Sequence, residues 1–116
     1  MKPITVFDDV LFSPLSIETL VRMIVLVASE RQKGVFNLGS RSGMSKADFA
    51  YVLADVLDAP TIAMTRGLSS SVKLHAYRPK DMRMDSTRFE HAFSLQLPTL
   101  RREIESMREV YANAAR

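Results

Sequence analysis

The stretch GVFNLGSRSGMSKADFAYVLADVL, residues 34–57, is the feature that most constrains the fold. Its apolar start, Val35 to Leu38, predicts a strand, and the glycines that follow predict a turn. Ser45 is a favourable N-cap residue for the helix that comes next. The apolar residues of that helix recur at helical spacing, at Phe49, Val52, Leu53, Val56 and Leu57. A strand, a turn and an amphipathic helix in this order indicate an α/β protein.

The turn in this stretch lacks two known nucleotide-binding patterns. A dinucleotide loop needs G-x-G-x-x-G and a P-loop needs G-x-x-x-x-G-K-[ST], whereas Gly39 and Gly43 are separated by Ser-Arg-Ser. Lys46 is displaced from the P-loop position, and the hydroxyl of Ser45 is expected to cap the helix. We therefore predict a structural turn in which the glycines permit positive φ angles.

The remaining elements extend this pattern along the chain. We predict a strand at Ile4–Phe7, followed by an extended loop over residues 10–16. A helix is predicted from Ile17 to about Glu30, capped by Ser16, buried on most sides and ended by Gly34. Further predicted elements are a strand at Thr61–Thr65, a loop over 66–81, a short strand at Met82–Met84, a helical turn through Phe93 capped by Asp85 or Ser86, and a last helix with Pro98 in its first turn and Leu100, Ile104, Met107 and Tyr111 as its buried stripe.

The predicted order is β-α-β-α-β-loop-β-α-α. This order describes a small α/β domain in which three to four helices pack on a small sheet of short strands. The length of 116 residues suits a single domain over 1–116.

Composition narrows the classes of protein further. The absence of cysteine excludes disulfides and thiolate metal sites and favours a cytoplasmic location. The two histidines, His75 and His91, are not at a metal-binding spacing. The longest apolar run, Met23–Ala28, is too short to cross a membrane, and the N-terminus does not have the pattern of a signal peptide. We expect no metal and no membrane partner.

No catalytic group of residues is evident. The Tyr-x-x-x-Lys pair of many reductases needs both side chains on one helical face, and the three tyrosines are followed at that spacing by Asp55, Asp81 and Ala115. Adjacent Asp8 and Asp9 are expected to point to opposite faces of a strand. The sequence therefore predicts no catalytic residue and leaves open whether the chain is part of an enzyme.

Charge is unevenly distributed between the two parts of the chain. Residues 66–116 carry ten basic and six acidic side chains, a balance that favours an anionic ligand, although solvated helix faces also explain it. The last helix interleaves its arginines with glutamates and has no basic stripe. We therefore expect no nucleic-acid partner.

Several short motifs occur together in a recognisable order. They are Ser13-Pro14, Gly34-Val35-Phe36-Asn37-Leu38-Gly39, Ser45-Lys46-Ala47-Asp48-Phe49-Ala50, Arg78-Pro79 with Asp81, Met84-Asp85-Ser86, and Pro98. Together they resemble the C-terminal, substrate-binding part of extended short-chain dehydrogenase/reductases that act on nucleotide sugars. The dTDP-4-dehydrorhamnose reductase group is the nearest in character, followed by the NAD-dependent epimerase/dehydratases. The N-terminal Rossmann domain of that family has no counterpart in this sequence.

The resemblance implies a set of substrate-binding residues. Arg78 matches the arginine that contacts the diphosphate or nucleoside end of the substrate, and its alternative role is an ion pair with Asp81. Ser13 matches a loop that faces the sugar or cofactor, or it is a simple turn residue. Arg66, Lys73 and His75 belong to the long loop that the family uses for substrate contact, or they are solvated loop residues.

The resemblance also implies the function and partners of the chain. The lobe would bind the nucleotide-diphosphate part of a dTDP-, UDP- or GDP-linked sugar without catalysing a reaction on its own. NAD(P)(H) would bind to the Rossmann domain of a longer parent, an NAD(P)-dependent reductase or epimerase, and not to this chain. The alternative is a stand-alone interaction module that self-associates or docks through the face that would pack on a Rossmann domain.

Overall fold

The computed structural model describes residues 2–73 and 76–114 of the chain. These residues form five short strands, four α-helices and a 3₁₀ turn at Ser69–Ser71. The strands are β1 (Ile4–Phe7), β2 (Leu11–Phe12), β3 (Met44–Ser45), β4 (Met64–Gly67) and β5 (Asp81–Met82). The helices are α1 (Ile17–Ser29), α2 (Lys46–Val56), α3 (Thr87–Ala92) and α4 (Leu100–Ala114). The predicted α/β class, with helices packed on short strands, is confirmed.

The strands are divided between two small sheets. β1 pairs in parallel with β4, and Ile4 lies opposite Met64. β2 is the centre of the second sheet, antiparallel to β3 and parallel to β5. The prediction of an extended loop over residues 10–16 missed β2, which lies within that range. A three-residue connection between β1 and β2 joins the two sheets and carries Asp8 and Asp9.

The first part of the core lies between α2 and α4. Val56, Leu100 and Ile104 are buried there, and apolar side chains of α2 pack around them. Each such side chain stabilises the fold by about 1.5–3 kcal/mol when it is fully buried. The predicted apolar face of α2 is therefore confirmed. The prediction for α4 fails at Tyr111, which is 49% exposed because it lines an open groove.

The second part of the core is built around α3. Phe89, Phe93 and Leu97 are buried, and side chains from α1 and from residues 36 and 38 pack against them. The rings of Phe36 and Phe93 meet edge to face, with 5.7 Å between their centroids. This cluster holds the residue 34–39 segment and one side of α1 in place.

Helix α1 differs from its prediction in burial. Its N-cap is confirmed, because the backbone N–H of Thr19 donates to Ser16 Oγ at 3.2 Å. The expectation that the helix is buried on most sides is wrong: Ile17 is 81% and Val25 63% exposed. Within the described residues, only a narrow side of α1 packs against the second core cluster. The helix ends at Ser29 with Glu30 as its C-cap, which confirms the predicted range of Ile17 to about Glu30, but Gly34 lies beyond the cap and does not end the helix.

The strand predicted at Val35–Leu38 is not formed in the described part of the chain. Its side chains nevertheless alternate, because Phe36 and Leu38 join the second core cluster while Val35 is 87% exposed. A strand requires a neighbouring strand to pair with, and none of the described strands lies beside this segment. The prediction of a strand is therefore wrong, although the side chains alternate in burial as they would on a strand.

The bounds of three other elements differ slightly from their predicted positions. β4 lies at Met64–Gly67 instead of 61–65, and β5 lies at Asp81–Met82 instead of 82–84. Helix α4 begins at Leu100, so Pro98 precedes the helix and does not lie in its first turn. Thr99 caps it, because its Oγ1 accepts from the N–H of Arg102 at 3.2 Å.

Candidate substrate-binding site

Arg66 lies on β4 and joins the first sheet to α2. Its guanidinium donates to Asp8 Oδ1 at 2.5 Å and to Asp48 Oδ1 at 2.8 Å, and it lies over the ring of Tyr51 at 4.9 Å. The hydrogen bonds to Asp48 and then to Asp8 raise the pKa of Arg66 above its usual range. Arg66 therefore has a structural role, and only those guanidinium N–H groups that do not donate to Asp8 or Asp48 are available to a ligand.

Asp9 anchors the beginning of the long loop. Its Oδ1 accepts from the backbone N–H of Ser69 at 2.9 Å, and its Oδ2 accepts from the Ser69 hydroxyl at 2.7 Å. The backbone and then the side-chain hydrogen bond lower the pKa of Asp9. Asp8 and Asp9 follow β1 and do not lie on a strand, so the expectation that they point to opposite faces of a strand is not met, although the two carboxylates have different partners. The sequence analysis missed the anchoring role, for which an acidic residue at a strand end is the available signal.

The long loop returns to the same place. The N–H of Leu11 donates to the carbonyl of Lys80 at 2.6 Å, just before β5 pairs with β2. Both ends of the loop are thus fixed beside residues 9–11. Lys73 and Arg78 lie on this loop with exposed side chains, whereas His75 lies outside the described residues.

Asp81 pairs with Arg83 and not with Arg78. Asp81 Oδ1 accepts from Arg83 Nε at 2.9 Å, and Asp81 Oδ2 accepts from Arg83 Nη2 at 2.7 Å. These side-chain bonds, with a further one from the Arg83 backbone, lower the pKa of Asp81 to about 2. The Asp81 carboxylate is therefore ionised at neutral pH and available to Arg83. The alternative pairing of Arg78 with Asp81 is not formed, and the described residues contain no hydrogen bond or ion pair from the Arg78 side chain.

Ser13 connects its own loop to the segments that contain Ser40 and Met84. Its Oγ accepts from the N–H of Met84 at 2.8 Å, and its carbonyl accepts from the N–H of Ser40 at 2.8 Å. A Cβ at Gly39 would lie 2.8 Å from the Ser13 carbonyl oxygen, and one at Gly43 would lie 2.5 Å from the Phe12 carbonyl oxygen. The glycines serve close backbone approach and not positive φ, which falls on Ser42 instead. The predicted structural turn is present, for a different reason.

Ser13 also borders a polar hollow of about 510 Å³. The hollow lies between the end of β2, residues 40–43 and residues 81–90. The structure thus places Ser13 beside the segment that leads back to Arg78. Arg66 lies on β4, in the other sheet.

A buried carboxylate on α4 fixes the loop that follows Ser13. Glu103 is 7% exposed. It accepts from the N–H of Ser16 and, through Oε1, from the hydroxyl of Thr19 at 2.7 Å. The sequence analysis used the glutamates of α4 only as interruptions of a basic stripe and assigned no contact to Glu103. A helix pattern alone does not show that position 103 contacts another helix.

The described residues contain neither a membrane-spanning helix nor a group of side chains that could hold a metal ion. None of the helices there has the length and apolar content that a membrane span needs. No group of three potential metal-ligating side chains comes together in that part of the chain either.

Three solved structures share the fold over at least 90% of this chain. The dTDP-4-dehydrorhamnose reductase of Bacillus anthracis, in complex with NADP, matches with a TM-score of 0.79 and 19% identity over 90% of this chain and 36% of that one. The dTDP-4-dehydrorhamnose reductase of Yersinia enterocolitica matches with a TM-score of 0.80 and 21% identity, over 95% of this chain and 38% of that one. The dTDP-4-dehydrorhamnose reductase of Clostridium acetobutylicum matches with a TM-score of 0.83 and 18% identity, over 96% of this chain and 39% of that one. The chain therefore has the fold of one part of a nucleotide-sugar reductase and spans less than two-fifths of each of these proteins.

The family itself is established by sequence. The chain belongs to the RmlD substrate binding domain family, whose model matches residues 1–113. No curated protein sequence gives a significant match. The resemblance inferred from the motifs is confirmed, and the domain has a substrate-binding role.

Proposed function

We propose that this chain binds the nucleotide-diphosphate part of a nucleotide sugar, as the substrate lobe of an NAD(P)-dependent sugar-nucleotide reductase or epimerase. Family membership supports the substrate-binding role. The observation that carries the finer proposal is the exposed Arg78 side chain, because Arg83 occupies the carboxylate that would otherwise neutralise it. A guanidinium presents a planar fork of donors that suits phosphate oxygens.

Two further groups assist Arg78 in this proposal. Lys73 lies on the same loop and adds a positive charge near the diphosphate. His75 belongs to the proposed set from the sequence resemblance alone. Arg66 contributes mainly by holding β4 in position, since Asp8 and Asp48 already engage it.

The chemical step is assigned to another part of a longer protein. The Bacillus anthracis structure, of which this chain covers 36%, contains NADP. The sequence of this chain has neither a dinucleotide loop nor a Tyr-x-x-x-Lys pair. We therefore propose that NAD(P)(H) binds outside this lobe and that the lobe alone is not catalytic.

An amide NMR titration of the labelled chain tests the proposal. We expect dTDP-, UDP- or GDP-sugars to shift the amides of Arg66, Lys73 and Arg78 and those near Ser13, while NADPH shifts none of them. The base that gives the strongest shifts identifies the nucleotide. A well-dispersed spectrum that does not respond to any nucleotide sugar would contradict the proposal.

The second candidate function is docking to another protein surface. Apolar side chains along the outer side of α1 are exposed, namely Ile17, Leu20, Val21, Ile24, Val25 and Val27. The chain spans less than two-fifths of its structural neighbours, so the remainder of such a protein is a suitable occupant. Exposed apolar patches of this kind mark interaction sites.

Self-association of the isolated chain tests this docking face. We expect Ile24→Glu to weaken self-association by at least about tenfold, because a charge in the middle of an apolar contact is costly to desolvate. Sedimentation over a range of concentrations measures it, with Ile62→Glu, at an exposed site outside α1, as the control. A wild-type chain that remains monomeric throughout would exclude α1 as a self-association surface.

A further inference from the structure

Three arginines line a cleft that the candidate substrate-binding site does not use. The cleft has a volume of about 410 Å³ and lies between α1, the segment before α4 and the first turn of α4. Its charged lining groups are the guanidinium groups of Arg22, Arg41 and Arg102, and no carboxylate of the described residues lines it. We call it the arginine cleft. Like charges that share one concave surface repel each other, so an anion in the cleft would offset an unfavourable arrangement.

The three guanidinium groups are accessible and are not neutralised by the protein. All three arginines are exposed, and none of them takes part in an ion pair within the described residues. Arg22 Nη2 makes only a long contact, of 3.4 Å, to Thr19 Oγ1. Arg41 also borders the polar hollow, which Glu90 lines, but Glu90 Oε2 accepts from the N–H of Leu97 at 2.7 Å. The donors of the arginines are therefore available to a ligand.

Backbone hydrogen bonds fix two of the arginines beside the start of α4. The N–H of Arg41 donates to the carbonyl of Pro98 at 2.9 Å, and the carbonyl of Arg41 accepts from the N–H of Leu100 at 2.8 Å. The N–H of Arg102 donates to Thr99 Oγ1 at 3.2 Å. Both backbones are thus held to the same few residues, so only the side chains need to adjust when a ligand binds.

A buried contact between helices holds the third arginine on the opposite side of the cleft. The hydroxyl of Thr19 on α1 donates to Glu103 Oε1 on α4 at 2.7 Å. Arg22 lies one turn after Thr19 and therefore on the same face of α1. The N-terminal end of α4, whose preceding residues Pro98 and Thr99 line the cleft, adds the partial positive charge of a helix N-terminus. The charge on both sides of the cleft is therefore positive.

We propose that the arginine cleft binds a diphosphate group, at a site separate from Arg78. Guanidinium forks bind phosphate oxygens in pairs, and three of them match the charge of a diphosphate better than that of a single phosphate. Ligand pockets have volumes of about 300–1,000 Å³, so the cleft is large enough. Arg78 does not line the cleft, so this site goes beyond the proposed function and does not depend on it. Free pyrophosphate and the diphosphate of a nucleotide share the required chemistry.

Isothermal titration of the chain with inorganic pyrophosphate at low ionic strength tests the inference. We expect Arg102→Ala and Arg22→Ala each to raise the Kd roughly tenfold or more, the usual effect of losing a charged hydrogen bond. Arg102→Lys should recover part of the affinity, because it keeps the charge but not the fork. The matched control is Arg108→Ala, which removes an exposed arginine of α4 that does not line the cleft. It should change the Kd by less than about twofold, because exposed charges outside the site are screened.

Amide NMR shifts locate the anion and separate this inference from the proposed function. Shifts of Arg41, Thr99 and Arg102 with pyrophosphate support the inference. In an Arg78→Ala chain, dTDP that still shifts these amides identifies a nucleotide as the source of the diphosphate, whereas shifts with pyrophosphate alone identify the free ion. The inference is overturned if Arg78→Ala abolishes pyrophosphate binding while Arg102→Ala leaves it unchanged. Equal losses in Arg102→Ala and Arg108→Ala, or no binding at roughly millimolar pyrophosphate, overturn it as well and leave the proposed function standing.

Discussion

Replacing Glu103 by alanine is expected to lower the free energy of unfolding by about 2–5 kcal/mol, because one buried and one half-buried donor lose a charged acceptor. The N–H of Ser16 and the hydroxyl of Thr19 both donate to this carboxylate. Thr19 is buried, so water does not replace the lost partner. Chemical denaturation at neutral pH measures the change. Glu105→Ala, at an exposed position on the same helix, should change the stability by no more than about 0.5 kcal/mol.

A second variant distinguishes the hydrogen bonds from simple packing. Glu103→Gln keeps the size of the side chain but has one oxygen to accept two donors, so we expect an intermediate loss. Adding Thr19→Val to Glu103→Ala should cost less than the two single changes combined, because the orphaned hydroxyl is then removed too. Additive losses in that double-mutant cycle would show that Glu103 and Thr19 are not coupled.

The same contact has a consequence for the site. Ser16 begins α1 and follows the Ser13-Pro14 loop, so Glu103 holds the end of that loop from the opposite helix. Ser13 in turn fixes Met84 and Ser40 at the hollow. Loss of Glu103 should therefore also weaken dTDP-glucose binding, provided that the variant remains folded.

Local sequence patterns predicted the helix caps, whose partners are near in sequence, and the amphipathic helix α2. The apolar face of α2 and the caps at Ser16 and Ser45 follow from helical geometry alone, and all three are present. Helix caps use backbone groups only three residues away, so no tertiary information is needed.

Elements that depend on a distant neighbour were predicted less well. Residues 35–38 have strand-like alternation, yet a strand exists only where another strand supplies hydrogen bonds. Helix α1 has the composition of a buried helix, yet burial depends on what packs against it. Both differences concern segments that pack against the second core cluster.

Sequence spacing is also a poor guide to which charged residues of the candidate site pair with each other. Asp81 has Arg78 three positions before it and Arg83 two positions after it, and sequence spacing does not choose between them. The folded backbone selects Arg83 as the partner of Asp81, because it places the Nε, the Nη2 and the backbone N–H of Arg83 against the Asp81 carboxylate. Glu103 was missed for a related reason, since the burial of a polar side chain is a property of the tertiary structure.

Arg78→Ala is expected to weaken nucleotide-diphosphate binding by ~1.5–3 kcal/mol, the usual range for a charged hydrogen bond. This corresponds to a roughly tenfold to 150-fold higher Kd. The fold should be unaffected, because the described residues form no hydrogen bond or ion pair with the Arg78 side chain. Isothermal titration with dTDP and dTDP-glucose measures the loss, and both ligands should lose affinity equally because they share the diphosphate.

Two matched variants make this result specific. Arg78→Lys keeps the charge but not the fork of donors, so it should recover part of the affinity. Arg101→Ala removes an exposed arginine from α4, and it should change Kd little if the guanidinium of Arg78 acts locally and not through net charge. Equal effects of Arg78→Ala and Arg101→Ala would mean that the ligand responds only to overall positive charge. An unchanged affinity in Arg78→Ala would remove Arg78 from the site, and the diphosphate would then have to be sought at Lys73 or Arg66.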